Sequence, residues 1–524
     1  MGALMNETAA AVLDVRRAGV LLHVTSLPAA AEFNQPSYPQ ADSEPTSVIA
    51  KKNKDQALGD FGNACRLIDF LVTGGMSVWQ ILPLGPTHND LSPYLCTSSL
   101  AGNPQLIDLQ WLRDRGWLSD TLTLQQFNSV SEYRLACLHQ AFAEFSVLPA
   151  TPYHLGYNEF IAEHAIWLTD FALFTALGRA NNGAAWMEWE PSLRDRDADT
   201  LARVHQMLDI QIDQVKFEQY IFYTQWREIK TYAHSRSVLI LGDMPLFVAH
   251  DSAEIWVNRQ YFCVDDHGSA AVVAGVPPDY FSSTGQKWGN PVYDWQQLQG
   301  DGFQWWIKRF SSQLELYDLL RIDHFRGLEA CWEIAATAAS AVDGRWQTTP
   351  GMELLQTLKN NFGHLPLVAE DLGFITAEVH QLRNAFQLPG MTVTQFAFDG
   401  SENNPYLLHN HQVNSVAYTG THDNDTILAW YRSLSPSMQS TVEAEINRPG
   451  MSMPWSLIDY TLASVAKLVI IPMQDLLALG EGHRLNTPGT MGDNWYWQFS
   501  WQQVNEDLPA RLHRMVQHHL RVVD

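Results

Sequence analysis

The sequence predicts a (β/α)8 barrel with large, mainly helical insertions. Three observations predict it. Eight apolar, β-like runs recur along the chain, helical segments lie between them, and four of the runs end in an acid. Barrels of this class carry their chemistry at the C-terminal ends of the strands, where those acids fall. A chain of 524 residues has room for about two to four average domains or for one large barrel with insertions. We read 1–524 as a single barrel.

Residues 20–27 form the first β-like run, and Pro28 ends it. Residues 29–56 are rich in Ala, Pro, Ser, Asp and Lys and read as an exposed, mobile excursion. Residues 61–71 have helical spacing, with Ala64, Leu67, Ile68 and Leu71 on one face and Gly74-Gly75 closing the helix. Residues 78–84 are the second run, so strand, helix and strand suggest a βαβ unit. The span 85–237 far exceeds one crossover helix and reads as an inserted, mainly helical subdomain, with helices at 160–177 and 200–232. Near its start, Ser92-Pro93-Tyr94 either presents Tyr94 to a ligand or turns the chain.

Residues 238–245 are the third run, ending at Asp243. Residues 275–295 are too rich in Pro and Gly for a helix, and their aromatics suit a lid over a site. The fourth and fifth runs begin at Leu319 and Leu365, separated by a segment that contains Trp332, Arg345 and Trp346. Residues 391–396, 415–421 and 468–472 complete the eight.

The fourth run, 319–327, reads L-L-R-I-D-H-F-R-G. Side chains alternate along a strand, so Arg321 and Asp323 share a face while Ile322 points into the packing. A guanidinium beside a carboxylate favours the ionised form. An aspartate held ionised at a strand end serves as nucleophile, metal ligand or anchor for a sugar hydroxyl, or simply as a salt bridge at the barrel mouth. The pattern repeats at 365–373, which ends in Glu370 and Asp371, and at 415–424, which carries His422 and Asp423.

The formal net charge of −24 argues against nucleic acid and anionic membrane as partners, since both require basic surface. Five cysteines, scattered and without a C-x-x-C pair, read as reduced, mostly buried thiols of a cytoplasmic protein. The first residues lack the basic start and apolar core of a signal peptide, and Asn6 stands where a myristoylation motif wants Ser or Thr. The run 468–479 is too short to span a bilayer and is broken by Gln474 and Asp475. Nineteen tryptophans fit both a sugar-binding surface and a large packed core.

Long stretches in a fixed order carry a resemblance: L-H-V-T-S-L-P at 22–28, W-Q-I-L-P-L-G-P-T from Trp79, S-P-Y at 92–94, G-D-M-P at 242–245, the stretch 275–295, R-I-D-H-F-R-G, A-E-D-L-G from Ala369, T-H-D-N-D-T from Thr421 and N-T-P-G-T from Asn486. On these the chain resembles the amylomaltases, or 4-alpha-glucanotransferases (disproportionating enzymes), relatives of the alpha-amylases. The resemblance implies Asp323 as nucleophile, Glu370 as general acid/base and Asp423 as transition-state stabiliser. It implies sugar contacts from Tyr94, Asp243, Arg321, His324 and His422, lid contacts from Tyr280, Phe281 and Trp288, and further contacts from Asp399 and Asn494. It also implies retaining transfer of α-1,4-glucan segments from a maltooligosaccharide or glucan to the 4-hydroxyl of glucose or a short maltooligosaccharide, with no cofactor and no metal. Three departures from the family pattern fall on outer parts: the long 29–56 excursion, Q-T-T-P-G after Trp346 where a lysine is common, and Asp493 where glycine is typical.

Other functions fit the same acids. An α-glucan hydrolase needs the same barrel and carboxylates. A magnesium or manganese enzyme also uses acids at successive strand ends, although Arg321 beside Asp323 competes with a metal. A glucan-binding protein would use the acids and aromatics only to hold sugar. The chain states nothing about oligomeric state.

Overall fold

The computed structural model describes residues 14–29, 58–149, 151–278 and 282–523. Most of the 29–56 excursion, and Tyr280 and Phe281 of the expected lid, lie outside the described residues.

Twelve strands occur among the described residues: β1 (Arg17–Leu21), β2 (Val78–Gln80), β3 (Leu239–Pro245), β4 (Val272–Val276), β5 (Gln286–Pro291), β6 (Leu319–Asp323), β7 (Ala330–Ala335), β8 (Arg345–Thr348), β9 (Leu367–Ala369), β10 (Gly390–Val393), β11 (Ser415–Tyr418) and β12 (Leu468–Pro472). Eight of them form one sheet in the order β10-β11-β12-β1-β2-β3-β6-β9. All seven pairings are parallel. At the seam, Ala369 N donates to Pro389 O at 2.9 Å and Met391 N donates to the Asp371 carboxylate at 2.8 Å. The sheet therefore curls into a barrel closed between β9 and β10, as the eight apolar runs predict.

Several strands are shorter than their apolar runs. β1 stops at Leu21, and Val24–Ser26 forms a buried 3-10 turn. β2 stops at Gln80, yet Ile81, Leu82 and Leu84 remain buried. An apolar run marks burial and does not distinguish a strand from a buried turn that continues it.

Helices cover the barrel. Ala64–Thr73 connects β1 to β2, and Gln304–Leu316 leads into β6. The span 85–237 contains Val130–Val147, Pro152–Ala180, Ala198–Met207 and Asp209–Ser235. The last of these is the crossover into β3. Its Phe222 and Trp226 lie 5.3 and 5.5 Å, centroid to centroid, from Phe61, and Trp226 Nε1 donates to Leu316 O. Pro152–Ala180 is long and apolar enough to cross a membrane by length and composition. Its Phe160 packs on Tyr220 and Tyr223 of the crossover helix, so that apolar face is used within the protein. The β10–β11 connection carries 3-10 turns and no α-helix among the described residues. Asn403-Asn404-Pro405 lies there, where amide side chains compete for the backbone and proline removes a donor.

The stretch 275–295 is not a free loop. Parts of it form a hairpin of β4 and β5 within a second, antiparallel sheet ordered β5-β4-β7-β8. The expected lid is thus anchored on strands at 275–276 and 286–291. Gly275 permits the pairing, because a Cβ there would lie 2.1 Å from Gln286 O.

Among the described residues the five cysteines form no disulfide. Cys137 and Cys331 are buried, Cys96 and Cys263 half-buried, and Cys65 exposed, so fewer are buried than expected.

Candidate active site

The register between strands assembles the site. β3 and β6 pair Asp243 with Arg321 and Pro245 with Asp323, and β6 and β9 pair Ile322 with Ala369. Arg321 Nη1 donates to both Asp243 oxygens at 2.8 Å, while Nη2 lies 2.9 Å from Asp323 Oδ1. One buried guanidinium therefore binds two carboxylates. Burial works against the Arg321 cation, but Asp243 and then Asp323 outweigh it and raise its pKa well above the usual range. Burial pushes Asp243 the opposite way, towards its neutral form, and Arg321 pulls it back. The bidentate contact, with the Tyr94 hydroxyl donating to Oδ2 at 2.8 Å, fits an ionised Asp243. The Asp323 side chain is 32% exposed, so a ligand can reach it.

Glu370 follows β9 directly and is half-buried. His324 N donates to Oε2 at 2.8 Å and Leu372 N to Oε1 at 3.0 Å. His324 adopts a left-handed backbone, φ 56°, which is uncommon for a non-glycine residue and accompanies the turn of its N–H onto Glu370. Desolvation in the walls of the cleft, with the Asp323 charge adding to it and Arg321 opposing, moves Glu370 up to about 7. Asp323 is thus held against a cation, and the acid on the next strand keeps its proton close to neutrality.

The third carboxylate comes from the loop after β11. Asn486 Nδ2 donates to Asp423 Oδ1 at 2.6 Å, His422 Nε2 lies 3.4 Å from Oδ2, and Arg484 Nη2 donates to the Asp423 carbonyl. Tyr94 stacks on His422, with centroids 5.1 Å apart and planes 17° from parallel. Tyr94 thereby joins the Asp243–Arg321–Asp323 group to the His422–Asp423 loop. Trp495 flanks both rings at 5.9 and 6.0 Å. Trp288 on β5 meets the His324 ring edge-on at 4.8 Å, and burial moves His324 down to about 4.

Asp323, Glu370, Asp423, Tyr94, Asp243, Arg321, His324, His422 and Trp288 are therefore connected through one mouth. Asp399 is exposed and accepts from Ser401 N within its own turn. Asn494 accepts from Thr487 N at 3.0 Å and donates to Thr490 O at 3.1 Å, which shapes the loop behind Asn486. Four residues of the site were not singled out from sequence: His23, Arg484, Asn486 and Trp495. His23 is buried, moved down to about 3 by burial and then by His422, and lines a cavity with His422 and Arg484. Two of the quoted stretches contain His23 and Asn486, but spacing does not reveal which side chain of a loop turns inward.

Three acids at the C-terminal mouth of a (β/α)8 barrel, one on a buried arginine and its neighbour moved up to about 7 by desolvation, with aromatic rings among them, define a carbohydrate-active barrel enzyme. A family model described as 4-alpha-glucanotransferase matches residues 45–503, and the chain belongs to that family. It is 43% identical over 518 residues to a 4-alpha-glucanotransferase of Synechocystis sp., covering 96% of this chain and 97% of the relative. It is 41% identical over 515 residues to one of Thermus thermophilus, covering 96% and 98%. Among solved structures it is similar to an amylomaltase from Streptococcus agalactiae in complex with acarbose, with TM-score 0.88 and 34% identity over 97% of this chain and 100% of that one.

Proposed function

We propose that this enzyme transfers α-1,4-glucan segments from a donor maltooligosaccharide or glucan to the 4-hydroxyl of an acceptor such as glucose or a short maltooligosaccharide, by retaining double displacement. Asp323 attacks the anomeric carbon while Glu370 gives its proton to the departing glycosidic oxygen. The C1–O bond breaks and a glycosyl ester to Asp323 forms. Glu370, now a carboxylate, takes the proton of the incoming 4-hydroxyl, whose oxygen attacks C1 and releases Asp323. Asp423 holds ring hydroxyls of the distorted sugar and stabilises the positive charge that develops at the ring.

The observation that carries the reading is geometric: Asp323 sits on the Arg321 guanidinium, and Glu370, moved up to about 7 chiefly by desolvation, follows the neighbouring strand. Retention calls for carboxyl groups about 5–5.5 Å apart. Adjacent strands about 4.8 Å apart, with Ile322 opposite Ala369, support that reach. The hairpin that bears Trp288 serves as the lid that favours sugar over water as acceptor.

Incubation of the purified protein with maltotriose tests the function. A ladder of longer and shorter maltooligosaccharides with constant reducing ends is expected. Accumulation of short sugars with rising reducing ends means hydrolysis, and binding without turnover means a glucan-binding protein.

A further inference from the structure

The loops that continue β6 and β9 past the catalytic acids converge on a second feature. Arg326, three residues past Asp323, is only 8% exposed. Its guanidinium lies 3.7 Å from the Trp346 ring centroid and 5.7 Å from that of Phe374. Nη1 donates to Phe374 O at 2.9 Å, whereas Nε is buried without a partner. Phe374, four residues past Glu370, is 71% exposed, and Trp346 on the solvent-facing strand β8 is 37% exposed.

A phenylalanine this exposed adds little to the core, yet its loop is tied by a buried arginine to a second exposed ring. Flat apolar faces beside a hydrogen-bond donor are the chemistry that receives a pyranose. The C–H face of the sugar lies on the ring and its hydroxyls meet the polar neighbour. The position agrees with that use. Glu370 delivers its proton to the leaving oxygen, so the leaving chain, and the acceptor that replaces it, lie on the Glu370 side of the cleaved bond. Phe374 extends the loop that carries Glu370, and Arg326, from the loop after Asp323, holds it.

We propose that Phe374 and Trp346, positioned by Arg326, form an outer acceptor-side subsite that stacks a glucose ring of an α-1,4-glucan several units from the cleaved bond. The proposal rests on the transferase reading above and supplies its chain-length preference: long chains reach the rings and short ones do not.

The test compares wild type with Phe374→Ala, Trp346→Ala and the double variant by the ratio of kcat/KM for maltoheptaose to that for maltotriose. The ratio should fall about 3-fold for each single variant and about 10-fold for the double, a loss in the range of one aromatic contact, with recovery in Phe374→Trp. A ratio unchanged within about twofold overturns the subsite. So does an equal loss on both sugars, which marks a defect of folding or chemistry, or a change in molecular mass by light scattering with the ratio intact, which marks a protein interface. Calorimetric titration of maltoheptaose and maltotriose into the same variants built on Asp323→Asn separates this proposal from the one beneath it. Binding that loses its length dependence with the rings, while the enzyme with Asp323 intact forms no maltotriose ladder, sinks the transferase alone. A ladder with ring-independent binding sinks the subsite alone.

Discussion

Glu370 accepts two backbone N–H groups, which favours the carboxylate, yet desolvation and the charge of Asp323 prevail and move it up to about 7. The sign for catalysis follows. The first step needs the proton on Glu370, so glycosylation falls as pH rises through about 7 and the acid is lost. Measured with maltotriose between about pH 5 and pH 9, kcat/KM should descend on the alkaline side with a midpoint near 7. Glu370→Gln should lower the rate by about 10²–10⁴ and erase that descent in whatever activity remains. A wild-type profile flat through about pH 9 assigns the proton to another group. Asp323 was legible in the sequence because it closes an apolar run on the same strand face as Arg321, whereas Glu370 shares the end of its run with Asp371 and was set apart only by the family resemblance. Asn486 was not legible. It reaches Asp423 from a loop more than sixty residues further on, and loop residues carry no periodicity from which direction can be read.

The strands position these side chains by close approach. Gly242 precedes Asp243 on β3, and a Cβ there would lie 2.2 Å from the Tyr317 ring, which is itself buried. Gly242→Ala therefore overfills the gap and displaces Tyr317 or β3, at about 1–3 kcal/mol. The expected outcome is a lower thermal midpoint together with a lower kcat, because the bidentate Asp243–Arg321 contact moves with the strand. A normal midpoint and normal rate would show that Tyr317 yields without disturbing the register. Element existence was well predicted: each of the eight runs overlaps a barrel strand, although β1 begins at Arg17, ahead of the 20–27 run. Their ends were not, because buried turns after β1 and β2 are as apolar as the strands. The stretch 275–295 holds strand that its composition hides. Its Gly and Pro suggested a loop, but Gly275 serves the close pairing of β4 with β5.

At the scale of the whole molecule, the barrel is fastened where the chain returns to its beginning. The Arg521 side chain is fully buried and donates to four carbonyls: Leu462 O at 2.8 Å, Arg17 O at 3.1 Å, Ala466 O at 3.0 Å and Ser464 O at 2.6 Å. It ties the residues after the last helix to the start of β1 and to the approach to β12. Arg521→Ala leaves those acceptors unpaired around a cavity, so stability should fall by about 3 kcal/mol or more, read as a lower midpoint in denaturant. An unchanged midpoint would mean that water replaces the guanidinium at no cost. A lone arginine near the end of a sequence carries no signal of this kind, since only the closed barrel brings its partners together.

The proposed division of labour has Asp323 bonding to the sugar while Glu370 manages the proton. It is tested most directly by treating Glu370→Gln with α-maltotriosyl fluoride, whose leaving group needs no acid, and mapping the protein by mass spectrometry. The account predicts a maltotriosyl ester on the peptide that contains Asp323, absent when Asp323→Asn is added. A label on a different residue, or fast turnover of the fluoride by the double variant, would contradict it.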